Sequence, residues 1–498
     1  MNAIHQIHSE AIESQRKRDI SPDIPLLVLV WLAIGFITIL ISICIQAWIS
    51  WKSDARLVFD LLVFLACIAT GGYTLLQASF LAEKQHRFKA FIIFVLALVC
   101  YAVIIHFRLQ EWMPEMLPGE RIDHFYYWHQ GQLYAEFWRF TGIGRNDCFI
   151  QIVSNAWVYG YFLGWMITLW GPFVEIPLFL GMTVLFLTAS VVGTLALQLG
   201  YNSSVARRAF WIWLFLTALP QLVKPALWKD NWMWLMLALG ISAIVDVAKG
   251  RASIGREFLV VIGIISTWLL RWPAALVLIG LALFLSMRTR SFGRLMLFVA
   301  VVILAISTEA MGIQEVSVLS DVPTSPMEGM ILNIKSLITL GTEFELRGRL
   351  RSQLWGRPLS LSNAWYVVPL RFLEPFVAPS SWLSSTRSLL EITTFFGTKI
   401  VLFALILVLF YTLFSLPKDS QRCADWRLSR YLSLGGLPLI VSVGFYPAGS
   451  DRYILTGLLM ALPLVTHATF CFRGVTRVAL VLGTLLEFWA VILYLYVI

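Results

Sequence analysis

Charged residues and paired cysteines are both scarce in this chain. Only 13% of its 498 residues are charged, while 59% are hydrophobic and the mean hydropathy is +0.77. A soluble protein could not bury so much apolar surface, so a polytopic membrane protein is predicted. The six cysteines include no CxxC pair, and only Cys148 falls in a predicted external loop. A disulfide framework and a cysteine metal site are therefore not expected.

Apolar runs long enough to cross a bilayer, about 20 residues each, recur along the chain. The first run follows the N-terminal segment 1–23 and continues as a full span, which indicates a membrane helix and not a cleaved signal peptide. We predict spans at 24–48, 57–82, 89–108, 173–198, 209–226, 231–248, 294–310, 394–416, 431–446, 453–471 and 478–498. Residues 257–287 are predicted to form a hairpin of short helices with Arg271-Trp272-Pro273 at its tip. The expected fold is an all-α polytopic membrane protein with about 11–13 transmembrane helices and helices at the external interface.

The basic residues predict the orientation of these spans. The chain has 38 Lys and Arg against 29 Asp and Glu, a net charge of +9, and the bases cluster in seven short segments flanking the spans. All seven fall on one side if the spans alternate, which indicates the cytoplasmic side of a plasma (inner) membrane and not a nucleic-acid partner. Residues 1–23 are then cytoplasmic, and residues 24–498 form one transmembrane domain with external loops at 109–172 and 311–393.

Acidic, basic and aromatic residues recur at the predicted external turns. In the helix predicted for "IDHFYYWHQGQLYAEFW", Asp123, Tyr127, Gln130 and Tyr134 fall on one face, as expected for a helix on the membrane surface. A second surface helix is predicted in "NAWVYGYFLGWMITLWG", residues 155–171. The other external turns contribute His124, Lys229, Asp230, Arg271, Arg452 and Tyr453.

These residue types suit group transfer from a lipid-linked phosphate. A carboxylate near an apolar boundary can act as a general base, and Arg or Lys can hold a phosphate. Each residue also has a simpler explanation. Interfacial Tyr and Trp usually anchor a protein in the membrane, external Lys and Arg often contact lipid headgroups, and Asp230 could cap a helix. Asp123 is the strongest functional candidate, because it begins an external amphipathic helix with Tyr127 on the same side.

The order of these motifs resembles the GT-C superfamily of polytopic glycosyltransferases, which includes the lipid-linked aminoarabinose and mannose transferases. "IDHFYYWHQGQLYA" is similar to the family's acidic first external loop, and "YGYFLGWMITLWG" to its second surface helix. "LPQLVKPALWKDNWMW", "LLRWPAALVLIG" and "SDRYILTGLLMALPL" resemble its later external turns. The resemblance extends from about residue 90 to about residue 470.

The resemblance implies an inverting transfer from a polyprenyl-phosphate-linked sugar to a glycan, lipid or protein acceptor. Asp123 would be the base or a metal ligand, and Asp230 a second acid near the site. Lys229, Arg271 and Arg452 would hold the donor phosphate, with His124, Tyr127 and Tyr453 as further substrate-binding candidates. The family's paired acids are replaced here by Asp123 and His124, which leaves a divalent metal ion open.

Two other functions fit the same chain. A polymerase or ligase of lipid-linked envelope polysaccharide would use the arginines of "ELRGRLRSQLWGR", residues 345–357. A transporter or flippase of a lipid-linked precursor would carry ionisable residues at mid-membrane depth, but nearly all such residues here lie near predicted helix ends. A ring of charges around an external cavity would favour the enzyme, and a charged path across the membrane would favour transport.

Overall fold

The structure is a computed structural model of the chain. It describes residues 55–112, 123–138, 157–171, 174–223, 227–287, 389–414, 425–443 and 451–497, with a few single positions between 289 and 376. The N-terminal segment, the predicted spans 24–48 and 294–310, and most of the loop 311–393 lie outside these residues.

The described residues form twelve α-helices and one 3-10 helix, with no strand among them. The α-helices are α1 (Ala55–Gln77), α2 (Lys84–Trp112), α3 (Asp123–Trp138), α4 (Trp157–Trp170), α5 (Glu175–Gln198), α6 (Ser203–Val223), α7 (Lys229–Ala248), α8 (Ile254–Ser286), α9 (Leu389–Phe414), α10 (Trp426–Ser442), α11 (Asp451–Cys471) and α12 (Arg473–Val497). The 3-10 helix is Ser79–Leu81. The prediction of an all-helical chain is confirmed for these residues.

Five of the helices are long and apolar enough to cross a membrane. They are Lys84–Ile105, Glu175–Gln198, Lys229–Ala248, Thr393–Phe414 and Arg452–Cys471 among the described residues. Each coincides with a predicted span. Helices α1, α6, α10 and α12 coincide with four further predicted spans, at 57–82, 209–226, 431–446 and 478–498. Over their described residues, these four helices are not both long enough and apolar enough to count as candidate spans. The five helices therefore indicate a membrane protein, while the larger number of spans stays a prediction.

Helices α5 and α7 form the centre of the fold. Nearly every side chain of both helices is buried, polar ones included. Helix α5 packs against α1, α2, α6 and α7, while α11 contacts α5, α6, α7, α9, α10 and α12. The peripheral helices α2 and α12 instead expose large apolar side chains such as Leu96, Phe488 and Trp489, as expected for surfaces that face lipid.

Helix α8 is a hairpin of two helical arms that meet at Arg271. The backbone of Arg271 is extended (φ −162°, ψ 86°), and Pro273 follows two residues later. A Cβ placed on Gly240 of α7 would lie 2.9 Å from Leu278 Cδ2 and 3.5 Å from Gly263 Cα. A straight helix would separate Gly263 from Leu278 by about 22 Å, so the two arms must lie side by side on α7. This geometry puts Arg271 at the tip, as predicted.

The helix ends gather in two groups at opposite ends of α7. Arg271 and the first residues of α7 and α11 meet at one end, which we call the site end. At the other end, Asp246 contacts Arg256 at 3.2 Å, and Lys249 lies 3.7 Å from Asp425. Three segments predicted to be cytoplasmic have their described residues at this second end: 199–208, 249–256 and 418–430. This placement agrees with the predicted alternation of spans. Which end faces the cytoplasm stays a prediction.

Candidate functional site

Asp230 lies at the centre of the site end. It belongs to the first turn of α7, where an acidic side chain interacts favourably with the helix dipole, and it is fully buried. The Arg271 guanidinium lies 2.8 Å from its Oδ1 atom, and that of Arg452 lies 3.4 Å from its Oδ2 atom. One carboxylate therefore holds two guanidinium groups, which come from the hairpin tip and from the start of α11.

Aromatic rings cover the cations of this cluster. The Arg271 guanidinium carbon lies 4.4 Å from the ring centre of Tyr453, and that of Arg452 lies 5.0 Å from the ring centre of Trp228. Both distances are within the range of cation–π attraction. Lys229 is also buried, and its Nζ atom lies 5.8 Å from the ring centre of Tyr127. We call Lys229, Asp230, Arg271 and Arg452 the cation cluster.

Two buried hydrogen-bonded pairs hold the helices around the cation cluster. The side-chain amides of Gln221 on α6 and Asn231 on α7 donate to each other at 2.7 and 2.9 Å. The indole of Trp234 donates to the Thr456 hydroxyl at 3.0 Å, and that hydroxyl donates to the Arg452 carbonyl at 2.6 Å. The first pair joins the end of α6 to the first turn of α7, and the second joins α7 to α11, so together they fix the backbone that carries Asp230 and Arg452.

Helices α3 and α4 pack together beside the cluster. A Cβ placed on Gly131 of α3 would lie 2.8 Å from Leu163 Cβ and 3.2 Å from the backbone nitrogen of Gly164, so the two helices approach each other closely. Tyr127 and Tyr159 meet edge to face at 5.3 Å between ring centres. Burial raises the pKa of Tyr159, and the neighbouring phenols and the Asp230 carboxylate raise it further, so Tyr159 stays a neutral phenol near the cluster.

Six of the eight predicted site residues lie together at the site end: Tyr127, Lys229, Asp230, Arg271, Arg452 and Tyr453. Asp123 and His124 begin α3, one turn before Tyr127, but their side chains lie outside the described residues. The predicted polar face of α3 is directed toward α4, since Tyr127, Gln130 and Tyr134 are buried and both tyrosines contact rings of α4. This face therefore packs on a second helix in addition to bordering the cluster.

Three residues that border the cluster were not predicted from the sequence. Trp228, Asn231 and Tyr159 were not singled out, although "ALWKDNW" and "VYGYFLGW" contain them. Trp228 and Asn231 flank the predicted pair Lys229 and Asp230, so their proximity was available from the sequence. The Gln221 partner of Asn231 comes from the preceding helix and could be identified only from the fold.

The residues do not identify a metal site. Within the part of the chain that the structure describes, no three His, Cys, Asp or Glu side chains come together. Both oxygens of Asp230 already face guanidinium groups. The candidate ligands Asp123 and His124 lie outside this test.

The cation cluster brings three cationic side chains together around the buried carboxylate of Asp230. Of its donors, the Nε atom of Arg271 is buried and has no hydrogen-bond partner among the described residues. Buried polar groups are normally satisfied, so this donor calls for an acceptor. The arrangement is therefore suited to binding an anion.

Comparisons with protein-family models, with curated proteins and with solved structures found no match for this chain. Its function has to be argued from the chemistry of the site.

Proposed function

We propose that this protein is an integral membrane glycosyltransferase that moves a sugar from a polyprenyl-phosphate-linked donor to an acceptor at the external membrane face. The observation that supports this proposal is the buried cation cluster, which lies under aromatic rings at one end of a bundle of apolar helices. A donor whose lipid tail lies in the membrane would bring its phosphate to the level of such a cluster. The resemblance to the GT-C superfamily supports the same reaction.

The cations would hold the donor phosphate. Arg271 and Arg452 offer forked guanidinium donors, and Lys229 adds a point charge. Because the cluster is buried, its attraction for an anion is screened less than it would be in water. Tyr453, Trp228 and Tyr127 present ring faces and edges on which a sugar or an isoprenoid unit could pack.

Asp230 would act through the two arginines that it positions. The resemblance implies a second acid near the site, but a fully buried carboxylate between two guanidinium groups is poorly placed to accept a proton from an acceptor. We therefore assign to Asp230 the role of keeping Arg271 and Arg452 at a fixed separation.

Asp123 remains the candidate base. It would remove the proton of the acceptor hydroxyl, and the acceptor oxygen would attack the anomeric carbon from the face opposite the phosphate. The bond from that carbon to the phosphate oxygen would break, and polyprenyl phosphate would leave with the electron pair. The configuration at the anomeric carbon inverts because a single displacement takes place. A divalent metal ion at Asp123 stays open, as does the choice among a glycan, a lipid and a protein as acceptor.

One observation favours transport of a lipid-linked precursor as a second candidate. Lys399 on α9 and Glu487 on α12 are buried within apolar helices that pack together. Ionisable residues at such positions often mark the path of an ion or substrate through a membrane protein. The third candidate, a polymerase or ligase, depends on residues 345–357, which lie outside the described residues.

A transfer assay with labelled donor lipid tests the proposal. Membranes with wild-type or variant protein receive a lipid extract whose polyprenyl-phosphate sugars are labelled, and the acid-labile label that remains is measured. Asp123→Asn and Arg271→Gln should each slow loss of this label by about 100-fold or more, the usual effect of removing a positioned base or charge-stabilising group. Arg256→Gln, in the ion pair at the opposite end of α7, serves as the matched control and should retain transfer.

The outcomes separate the candidates. Full transfer by an Asp123→Asn protein that inserts normally contradicts the role of Asp123. Labelled lipid that crosses the bilayer chemically unchanged would support the transporter in place of the enzyme.

A further inference from the structure

The side-chain amide of Gln130 is fully buried between α3 and α4 and lacks hydrogen bonds. Neither its Oε1 atom nor its Nε2 atom has a hydrogen-bond partner within the part of the chain that the structure describes. Gly160 of α4 leaves room for the amide, since a Cβ placed there would lie 2.7 Å from Gln130 Cδ. Buried polar groups are normally paired, and leaving them unpaired costs free energy. This amide therefore calls for a ligand that pairs it.

The amide lies one helical turn beyond the border of the cation cluster. Gln130 follows Tyr127 by three residues on the same face of α3, which is about 4.5 Å along the helix axis. The Tyr127 ring lies 5.8 Å from Lys229 Nζ and packs edge to face on Tyr159, the residue that precedes Gly160. A ring joined to a phosphate at the cluster would therefore lie beside these two tyrosines, with its far side toward Gln130.

The chemistry of the amide restricts the kind of ligand. Its NH2 group donates two hydrogen bonds, and its carbonyl oxygen accepts. A phosphate or a carboxylate only accepts and an ammonium group only donates, so each would leave half of the amide unpaired. Hydroxyl groups both donate and accept. A sugar carries several of them and also has C–H faces that pack on tyrosine rings, a combination that a water molecule lacks.

We infer that Gln130 is a substrate-binding residue whose amide holds hydroxyl groups of the sugar on the lipid-linked donor. The inference rests on the proposed function, since the cation cluster holds the phosphate to which that sugar is attached. Because the amide is enclosed, α3 moves relative to α4 to admit the sugar. The amide itself lowers the free energy of this movement, since separating the helices gives hydrogen-bond partners to two atoms that the closed interface leaves unpaired.

Gln130→Leu tests the inference by removing both polar atoms of the amide. With the labelled donor extract, we expect the donor concentration that gives half-maximal transfer to rise by about tenfold or more, as for the loss of two neutral hydrogen bonds. Inhibition by farnesyl phosphate, a lipid phosphate without a sugar, should stay at the wild-type level because the cation cluster is intact. The unfolding temperature of the purified variant in detergent should not fall, because an unpaired amide contributes no hydrogen bond to the folded protein.

Two further variants separate the amide from its surroundings. Gly160→Ala puts a methyl group where the Gln130 amide lies and keeps the amide itself, so it should weaken donor use in the same way. Gln132→Leu is the matched control, because it removes the same kind of side chain from a half-buried position two residues further along α3. It should keep wild-type donor use.

Wild-type donor use by Gln130→Leu would overturn the inference and leave the proposed transfer intact. Equal weakening of donor use and of farnesyl phosphate inhibition would also overturn it, because Gln130 would then act on the phosphate or on the fold and not on the sugar. A lowered unfolding temperature would show that the amide is already paired in the folded protein, with the same consequence. Failure of the proposed function has a different result: wild-type membranes would consume no labelled donor, and the inference would fall with it.

Discussion

Replacing Asp230 with Asn tests whether this carboxylate is needed to hold two guanidinium groups. The substitution keeps the shape of the side chain but removes its charge. Arg271, at 2.8 Å, and Arg452, at 3.4 Å, would both lose their common ion-pair partner. Removing one member of a buried ion pair typically costs about 3–5 kcal/mol, because the remaining charge stays buried and uncompensated.

We expect Asp230→Asn to lower the free energy of unfolding by about 3–5 kcal/mol, although two arginines lose their partner and not one. Asp230 is fully buried and Arg271 nearly so, whereas the Arg452 side chain is 22% exposed and can recover part of its solvation. The loss can be measured as a lower unfolding temperature of the purified protein in detergent. Methyl phosphate should restore part of it, since an anion that binds only the folded protein at 100 times its dissociation constant stabilises it by about 2.7 kcal/mol.

Asp246→Asn is the matched control for this experiment. Asp246 is also buried on α7 and also contacts an arginine of α8, Arg256 at 3.2 Å. It should lose stability, and methyl phosphate should raise its unfolding temperature only as much as that of wild type, because its cation cluster is intact. Asp230→Asn should gain more, because it loses a negative charge beside the anion. The reasoning would be refuted if Asp230→Asn were as stable as wild type, or if methyl phosphate stabilised it no more than Asp246→Asn.

Three further substitutions test the packing that positions the cation cluster. Gly263→Leu should separate the hairpin from α7 and abolish transfer, since a Cβ at Gly263 would already lie 3.0 Å from a backbone oxygen of α7. Circular dichroism would show whether the helices persist in this variant. Gly131→Val should push α3 away from α4, because its Cβ meets Leu163, and should lower the unfolding temperature of the purified protein. Trp234→Phe should cost about 0.5–1.5 kcal/mol of stability by removing the donor to Thr456, and it should cost less in a Thr456→Val background, where that acceptor is already absent.

Hydropathy and charge patterning predicted much of the helical framework. The five long apolar helices have no more than two charged residues in any window that could cross a membrane, so composition alone identifies them. The hairpin was also predictable, because bases flank 257–287 on both sides and Arg271-Trp272-Pro273 interrupts its middle. Residues 24–48 and 294–310 remain predicted spans.

The contacts of the site could not be predicted in the same way. The predicted alternation of spans puts Asp230, Arg271 and Arg452 on the same side of the membrane, but it does not indicate which of them touch. Asp230 and Arg452 are 222 residues apart, and their contact depends on the packing of α7 with α11. Periodicity likewise grouped Tyr127, Gln130 and Tyr134 on one face of α3 without indicating that α4 covers it.

The two ends of α7 join the neighbouring helices with different arrangements of charge. At the opposite end, Arg256 and Lys249 each contact a separate carboxylate, Asp246 and Asp425. At the site end, Arg271 and Arg452 instead share the carboxylate of Asp230, and the buried Nε atom of Arg271 has no hydrogen-bond partner among the described residues. We propose that an anion accepts from this donor, and a phosphate at the level of the membrane surface is the anion that the surrounding apolar helices and aromatic rings would favour.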